Sequence, residues 1–386
     1  MKDFIYSYPT KVYFGEKAAA KALPAELEKT GKTVMLAYGG GSLKRSGVYD
    51  EICGYLKEAG KEIVDFSGIM PNPTYKKVQE GAALAREKGV EFILAVGGGS
   101  VIDCCKIIAA QAVTDEDIWE MEFKEHMYPT EFLPMGAIVT ASGTGAEMNN
   151  GAVITNEDTN EKAGVLGAHA DFAVLDPAYT MSLPAKQVIS GAFDTLSHSM
   201  ETYLGSPRDI TLSDEIAEAV MRNVIRNIRI LLKDINNWEA RSELMWASAM
   251  AENGILKIGK VTDFQAHQIE HQLGAYTDCN HGQGLAVIHP VLYRHMYKDG
   301  IKQFARMAEK VWEIPAEGKL PEEMAEAGIN ALADFIKEIG LPSTFTEMGI
   351  TDKSVLKKVA DTCNLTAGCC KKLTREEVLE ILEECW

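Results

Sequence analysis

Phe92-Ile93-Leu94-Ala95-Val96-Gly97-Gly98-Gly99-Ser100 is the stretch that decides the fold. A short apolar run reads as a strand buried on both faces, and the glycines after it turn the chain directly into a helix. Ser100 at the helix start, with Asp103 three residues on, has the form of a capping box. A strand that turns through glycine into a helix is one step of a βαβ unit, from which parallel sheets are built. The same turn, lacking Cβ atoms, lets backbone N–H groups and a helix N-terminus approach a phosphate. A tight strand-to-helix turn with no ligand explains it equally well, and the two readings are compatible. The spacing is not the Rossmann G-x-G-x-x-G.

Working outward, the same grammar recurs. TVMLAY (33–38), EIVDF (62–66), GAIVT (136–140) and FAVLD (172–176) read as further strands, with helical patterns near 47–59 and 74–89. Strands alternating with helices predict a largely parallel sheet covered on both faces, with ligands beyond the carboxyl ends of its strands. After Leu183-Pro184 the pattern changes to long amphipathic stretches at 209–232, 239–256 and 319–338. The expectation is an α/β dinucleotide-binding domain over 1–183, followed by an all-helical domain over 184–386 that binds metal and substrate. The reaction centre is expected in the cleft between them.

Composition narrows the function classes. The 386 residues are 46% hydrophobic, as in an ordinary globular chain, and 39 basic against 56 acidic residues leave a net charge of -17. That charge argues against nucleic acid or an anionic membrane as partner. The start MKDFIYSYPTKVYFG has no apolar signal segment, and no run of 18 apolar residues occurs, so the protein is expected in the cytoplasm. Eight cysteines, including the neighbours Cys104/Cys105 and Cys369/Cys370 but no C-x-x-C, fit reduced thiols. The alternation Phe4, Tyr6, Tyr8 suggests a strand edge available for pairing.

Two more loops follow strands. Tyr38-Gly39-Gly40-Gly41-Ser42 lacks the acidic side chain that in dinucleotide folds grips the ribose 2′-hydroxyl and repels a 2′-phosphate; Lys44 and Arg45 come next. NADP is therefore favoured over NAD, unless the acid arrives from elsewhere, such as Asp65. Thr140-Ala141-Ser142-Gly143-Thr144-Gly145-Ala146-Glu147 is a hydroxyl-rich turn suited to a diphosphate or an amide, although any loop uses such residues.

The helical half carries the chemistry. Asp194 and His198 stand four apart, as do His267 and His271, and His281 follows ten residues on, bounded by Cys279, Asn280 and Gly282. Positions i and i+4 share one helix face, so each pair can present two donors to one point. Imidazole with carboxylate suits zinc or ferrous iron, and three or four such ligands with an open position make a catalytic site. Ordinary histidines on helix faces are the plain alternative for any one of them. Five donors exceed four, so one should stand beside the metal unligated, and Cys279 is a sixth candidate.

In this order, over essentially the whole chain, these residues resemble the iron-containing (group III) alcohol dehydrogenases, in particular the NADPH-dependent butanol dehydrogenase and aldehyde reductase branch. The resemblance rests on Pro71-Asn72-Pro73, Gly97-Gly98-Gly99-Ser100-x-x-Asp103-x-x-Lys106, Thr140 to Glu147, Ala173-Val174-Leu175-Asp176-Pro177, Asp194-x3-His198, His267-x3-His271 and His281-Gly282. It implies a dehydroquinate synthase-like architecture and Asp194, His198, His267 and His281 as metal ligands, which leaves His271 to relay a proton. It also implies Gly97, Gly98, Gly99 and Ser100 on the diphosphate and Thr140, Thr144 and Lys162 near the nicotinamide half. Gly39, Gly40, Gly41 and Ser42 would face the adenosine 2′ position, with Asn72, Asp103 and Val153 as further cofactor contacts. Ser142 and Ala146 stand where many members have Ala and Ser. The implied cofactors are NADP(H) and one Fe2+ or Zn2+, the implied substrates are primary alcohols and aldehydes, and a homodimer is expected. A glycerol dehydrogenase, a dehydroquinate-synthase-like lyase, a metallohydrolase and a non-catalytic nucleotide-binding protein are the rivals.

Overall fold

A computed structural model describes residues 3–205, 209–262, 264–368 and 370–386. The chain divides into two compact units, Ser7–Pro184 and Ala185–Trp386 together with Met1–Tyr6.

The first unit is built on a parallel sheet of six strands, β1 (Lys11–Phe14), β2 (Thr33–Tyr38), β3 (Glu62–Phe66), β4 (Phe92–Gly97), β5 (Met135–Val139) and β8 (Phe172–Leu175). A separate antiparallel hairpin, β6 (Gly151–Asn156) and β7 (Glu161–Leu166), accompanies it. The sheet order β1-β8-β5-β4-β2-β3 has a consequence for ligands. From β2 the chain steps outward to β3, returns to β4 on the other side, and continues away through β5. The order reverses between β2 and β4, and such a switch point opens a crevice at the carboxyl ends of the two strands. Both glycine loops, 39–41 and 97–99, begin there.

Local chemistry explains the elements. β4 and β5 are buried along their whole length, which suits strands covered on both faces, whereas edge strand β3 is mostly exposed or half-buried. Gly136 sits opposite Phe172 in register, where a Cβ would come within 2.5 Å of that ring; the space lets Phe172 stack on Phe92, centroids 6.0 Å apart. Helices α1 (Ala18–Leu27), α2 (Ser42–Arg45), α3 (Val48–Glu58), α4 (Tyr75–Lys88), α5 (Gly99–Gln111) and α6 (Ile118–Phe123) complete the unit. Thr74 caps α4 through Lys77 N–H, and Gly89 ends it in the left-handed region.

The second unit is helical: α7 (Ala185–Tyr203), α8 (Leu212–Leu231), α9 (Trp238–Glu252), α10 (Gln265–Thr277), α11 (His281–Met296), α12 (Ile301–Lys310), α13 (Pro321–Glu338), α14 (Val355–Thr362) and α15 (Arg375–Glu384). Thr211 and Asp214 form a reciprocal capping box on α8. The apolar faces of α7 and α8, including Phe193, Leu196, Met200, Met221, Val224 and Ile228, are buried.

The α/β-then-helical fold agrees with the sequence expectation, and several details differ. The helical pattern at 239–256 stops at Glu252, because Gly254 takes φ 87° and a short 3-10 turn follows. Ser100 lies inside α5, whose N-cap is Gly98 with no side-chain cap, because Asp103 is turned toward the hairpin instead. Phe4, Tyr6 and Tyr8 form no strand: the first is Lys11–Phe14, and Pro9 has no N–H to give a ladder. The described cysteines are free, Cys369 lies outside the described residues, and no helix among those described is long and apolar enough to cross a membrane.

Candidate metal centre and coenzyme loops

Four donors converge in the helical unit. Asp194 and His198 project from one face of α7 and His267 from α10; His281 is the first residue of α11. Asn280 caps α11, accepting from Gln283 N–H at 3.1 Å and from the Ser190 hydroxyl at 2.5 Å. Gly282 makes that docking possible, since a Cβ there would fall 2.3 Å from the Ser190 carbonyl oxygen. The ligand atoms of the four residues all lie within 4.8 Å of one another. Asp194 Oδ1 stands 3.2 Å from His198 Nε2 and 3.5 Å from the Nε2 atoms of His267 and His281.

The set fits a divalent cation. Asp194 Oδ1 and His267 Nε2 are buried without a hydrogen bond of ordinary geometry, a costly arrangement unless something else occupies their lone pairs. Behind each imidazole, Nδ1 meets a carboxylate: His198 faces Glu252 at 2.7 Å, His267 faces Glu201, and His281 faces Glu270. A proton held at Nδ1 leaves the Nε2 lone pair directed inward, the usual orientation of metal-binding histidines. Asp194, Glu201, Glu252 and Glu270 are all buried, and Lys257 offsets one of them at 2.8 Å from Glu252. With neutral imidazoles, four carboxylates less one ammonium leave three negative charges, which a dication would reduce.

The titration behaviour follows the same balance. Burial disfavours charge on the imidazoles, yet Asp194 and Glu252 push His198 up to about 10, and Glu270 and Asp194 push His281 up to about 9. Against burial, His198 and His281 hold Asp194 well below the usual carboxylate range, and Lys257 and His198 take Glu252 down to about 2. Protons on His198 and His281 thus offset the carboxylates, and a cation would displace them.

His271 stands outside the four-donor set. It is buried on α10, its ring stacked on His281 with centroids 5.5 Å apart and 5.9 Å from His267. Together with Glu270 and His281 it forms a second group of possible ligands. Cys279 belongs to neither group; its Sγ lies 3.8 Å from Glu270 Oε1. Phe264 walls the site, edge-on to His198 and His267 at 5.7 and 5.2 Å.

In the α/β unit the 97–99 glycine loop is packed where side chains would intrude. A Cβ on Gly97 would meet Val101 at 2.5 Å, one on Gly98 would meet Ala141 at 3.1 Å, and one on Gly99 would meet Thr144 Oγ1 at 2.3 Å. The first turn of α5 therefore presses on the 140–144 segment, which Thr140 N–H ties to Gly97 O at 2.9 Å. Asp103 Oδ2 accepts from Val153 N–H at 2.9 Å, and Lys162 donates to Asn72 Oδ1 at 2.9 Å. The hairpin thus joins the candidate diphosphate loop to the Pro71-Asn72-Pro73 turn. Gly39 to Ser42 lie alongside, a Cβ on Gly39 falling 3.8 Å from Val101.

Sequence reasoning missed the carboxylates behind the imidazoles and gave no role to Lys106, which is fully buried and donates to Gly151 O at 2.6 Å and Asn149 Oδ1 at 3.0 Å. Glu201 shares the α7 face of Asp194 and His198, and Glu270 stands three residues after His267 on α10, so helical spacing contained a signal for both. Glu252 had none, because only tertiary packing brings the end of α9 to His198.

Residues 9–177 match the family model described as iron-containing alcohol dehydrogenase, and residues 188–386 match that of the C-terminal part of the Fe-containing alcohol dehydrogenase family. The chain is 39% identical to NADH-dependent butanol dehydrogenase A of Clostridium acetobutylicum, over 100% of each chain. It is 36% identical to the NADPH-dependent aldehyde reductase YqhD of Escherichia coli, over 94% of each. The crystal structure of NADH-dependent butanol dehydrogenase A from Thermotoga maritima superposes with a TM-score of 0.94 at 36% identity, covering 100% of this chain and 99% of that one.

Proposed function

The chain belongs to the iron-containing alcohol dehydrogenase family, and from that premise we propose a metal-dependent oxidoreductase that interconverts primary alcohols and aldehydes using NADP(H). One observation carries the proposal: three imidazoles and one carboxylate converge, each ring backed by its own buried carboxylate. When bound, a divalent ion supplies Lewis acidity toward the substrate oxygen and the nicotinamide supplies the hydride chemistry.

The chain's own groups do the rest. Asp194, His198, His267 and His281 would hold the ion, and the same set accepts Fe2+ or Zn2+. Glu201, Glu252 and Glu270 keep the Nδ1 protons in place, and Phe264 keeps water from one side of the rings. His271, beside His281, is positioned to hold or pass the proton that an alcohol loses and an aldehyde gains. Gly97 to Ser100, at the sheet's switch point, would take the diphosphate, with Thr140, Thr144, Lys162, Asn72, Asp103 and Val153 around the cofactor. Gly39 to Ser42 would face the adenosine 2′ position. The relatives carry both coenzyme designations in their names, and the lack of an acid in residues 39–42 favours NADPH here. Phe4, Ile5 and Tyr6, exposed at 51%, 100% and 41%, suit a homodimer contact that a sedimentation mass would test.

A lyase acting on a phosphorylated acid fits less well. It needs spare cations near the metal, whereas Lys257 is paired with Glu252 and Lys260 with Asp214. The test is oxidation of NADPH and NADH with aldehydes of increasing chain length, alongside metal analysis of the same sample. Turnover of short primary aldehydes, faster with NADPH, is expected; metal-replete protein that reduces no aldehyde and oxidises no alcohol refutes the proposal.

A further inference from the structure

Beside the Gly39 loop lies a carboxylate whose two oxygens are already engaged. Asp65 sits on β3, in register with Leu36 of β2. Its Oδ2 accepts from the Tyr38 hydroxyl at 2.8 Å and its Oδ1 from the Tyr49 hydroxyl at 2.7 Å. Tyr38 ends β2 immediately before Gly39, and Tyr49 is in the first turn of α3. The two rings meet edge to face at 5.2 Å, and the Lys44 ammonium lies over both, 4.5 Å from the Tyr49 centroid and 5.3 Å from that of Tyr38. Tyr38 is buried and Tyr49 half-buried, whereas Asp65 and Lys44 are exposed.

To grip a ribose 2′-hydroxyl the carboxylate must turn a lone pair toward it, and to repel a 2′-phosphate it needs an unbalanced charge. Here the two phenol hydroxyls, one on each oxygen, fix the direction of the carboxylate, and the ammonium on the same rings offsets the charge. We propose that Tyr49 is a specificity-determining positioning residue: with Tyr38 it pins Asp65, under Lys44, away from the adenosine 2′ position. This rests on Gly39 to Ser42 facing that position. Tyr38 is locked into the core, so Tyr49 is the anchor that can be released without disturbing the sheet.

The test is the ratio of kcat/KM for NADPH to that for NADH, with butanal as the fixed aldehyde, in Tyr49→Phe, Asp65→Asn, the double variant and Gly39→Asp. Tyr49→Phe keeps the ring under Lys44 and removes one anchor. The ratio should fall by about three- to ten-fold, the range of one net hydrogen bond, mainly through KM. Asp65→Asn should leave the ratio level or raise it, and the double variant should return to within about two-fold of wild type, since no carboxylate remains to release. A Tyr49→Phe ratio equal to wild type, while Gly39→Asp lowers it, overturns the role of Tyr49 and leaves the loop assignment standing. A double variant as low as Tyr49→Phe shows that Tyr49 does not act through Asp65 and overturns it too. Ratios that move in neither Tyr49→Phe nor Gly39→Asp overturn the loop assignment and the inference with it.

Discussion

At the scale of single residues, the centre depends on which nitrogen of each histidine carries its proton. Glu201, Glu252 and Glu270 settle that, each meeting an Nδ1. Replacing such a partner leaves the ligand in place but loosens its orientation and lowers its basicity, which typically costs about 10- to 100-fold in metal affinity. Glu201→Gln and Glu270→Gln should both fall in that range when metal is competed away by a chelator of known affinity; wild-type affinity in both would deny these carboxylates the role. His271 is a different case, a ring stacked on His281 but outside the four-donor set. His271→Ala should keep its metal and lose about 10²–10⁴-fold in rate, the usual contribution of a well-placed proton-transfer group. Loss of the metal with the ring would instead make His271 a ligand. The histidines were legible in the sequence because i,i+4 spacing announces a shared face. Glu252 was not, since no local pattern records which side chain will lie across a helix interface.

At the scale of elements, the coenzyme side depends on how closely three loops approach one another. Gly99 is the tightest point, with space for a Cβ denied by Thr144 Oγ1 at 2.3 Å and Thr144 Cγ2 at 2.7 Å. Thr144 is a short side chain that cannot swing far aside, so Gly99→Ala must part α5 from the 140–144 segment, and overpacking of this kind costs about 1–3 kcal/mol. Weaker NADPH binding by fluorescence titration and a lower thermal midpoint are expected; unchanged values of both would mean that the loops have slack. Strands β2, β3 and β4 begin and end where the sequence places them, because each is an apolar or β-branched run closed by glycine or a turn. The hairpin β6–β7 escaped notice. Its sequence, Gly151–Asn156 and Glu161–Leu166, has only a partial alternation, and it is held by contacts from Asp103, Lys106 and Pro73 that are remote in sequence. Asp103 shows the cost of a purely local reading: the capping box proposed for it gives way to a hydrogen bond across the unit.

At the scale of the whole molecule, one half offers two glycine loops at a sheet switch point and the other a cluster of three imidazoles with four buried carboxylates. Neither alone constitutes a dehydrogenase. The family match over both halves joins them into one activity, and the sequence carried that match because its motifs occur in order along the entire chain. What sequence could not give was the electrostatic reason for the metal, which appears only when Asp194, Glu201, Glu252 and Glu270 are seen to be buried together. The most direct test is the rate of NADPH-dependent butanal reduction measured against bound metal, as a chelator strips the protein and Fe2+ or Zn2+ is then returned, in wild type and in His281→Ala. The rate should fall in proportion to metal removed and recover with about one equivalent per chain, the stoichiometry of a single four-donor site, while His281→Ala binds NADPH but recovers little metal or rate. A stripped wild type that keeps its full rate, or a His281→Ala protein with full metal and full activity, would contradict it.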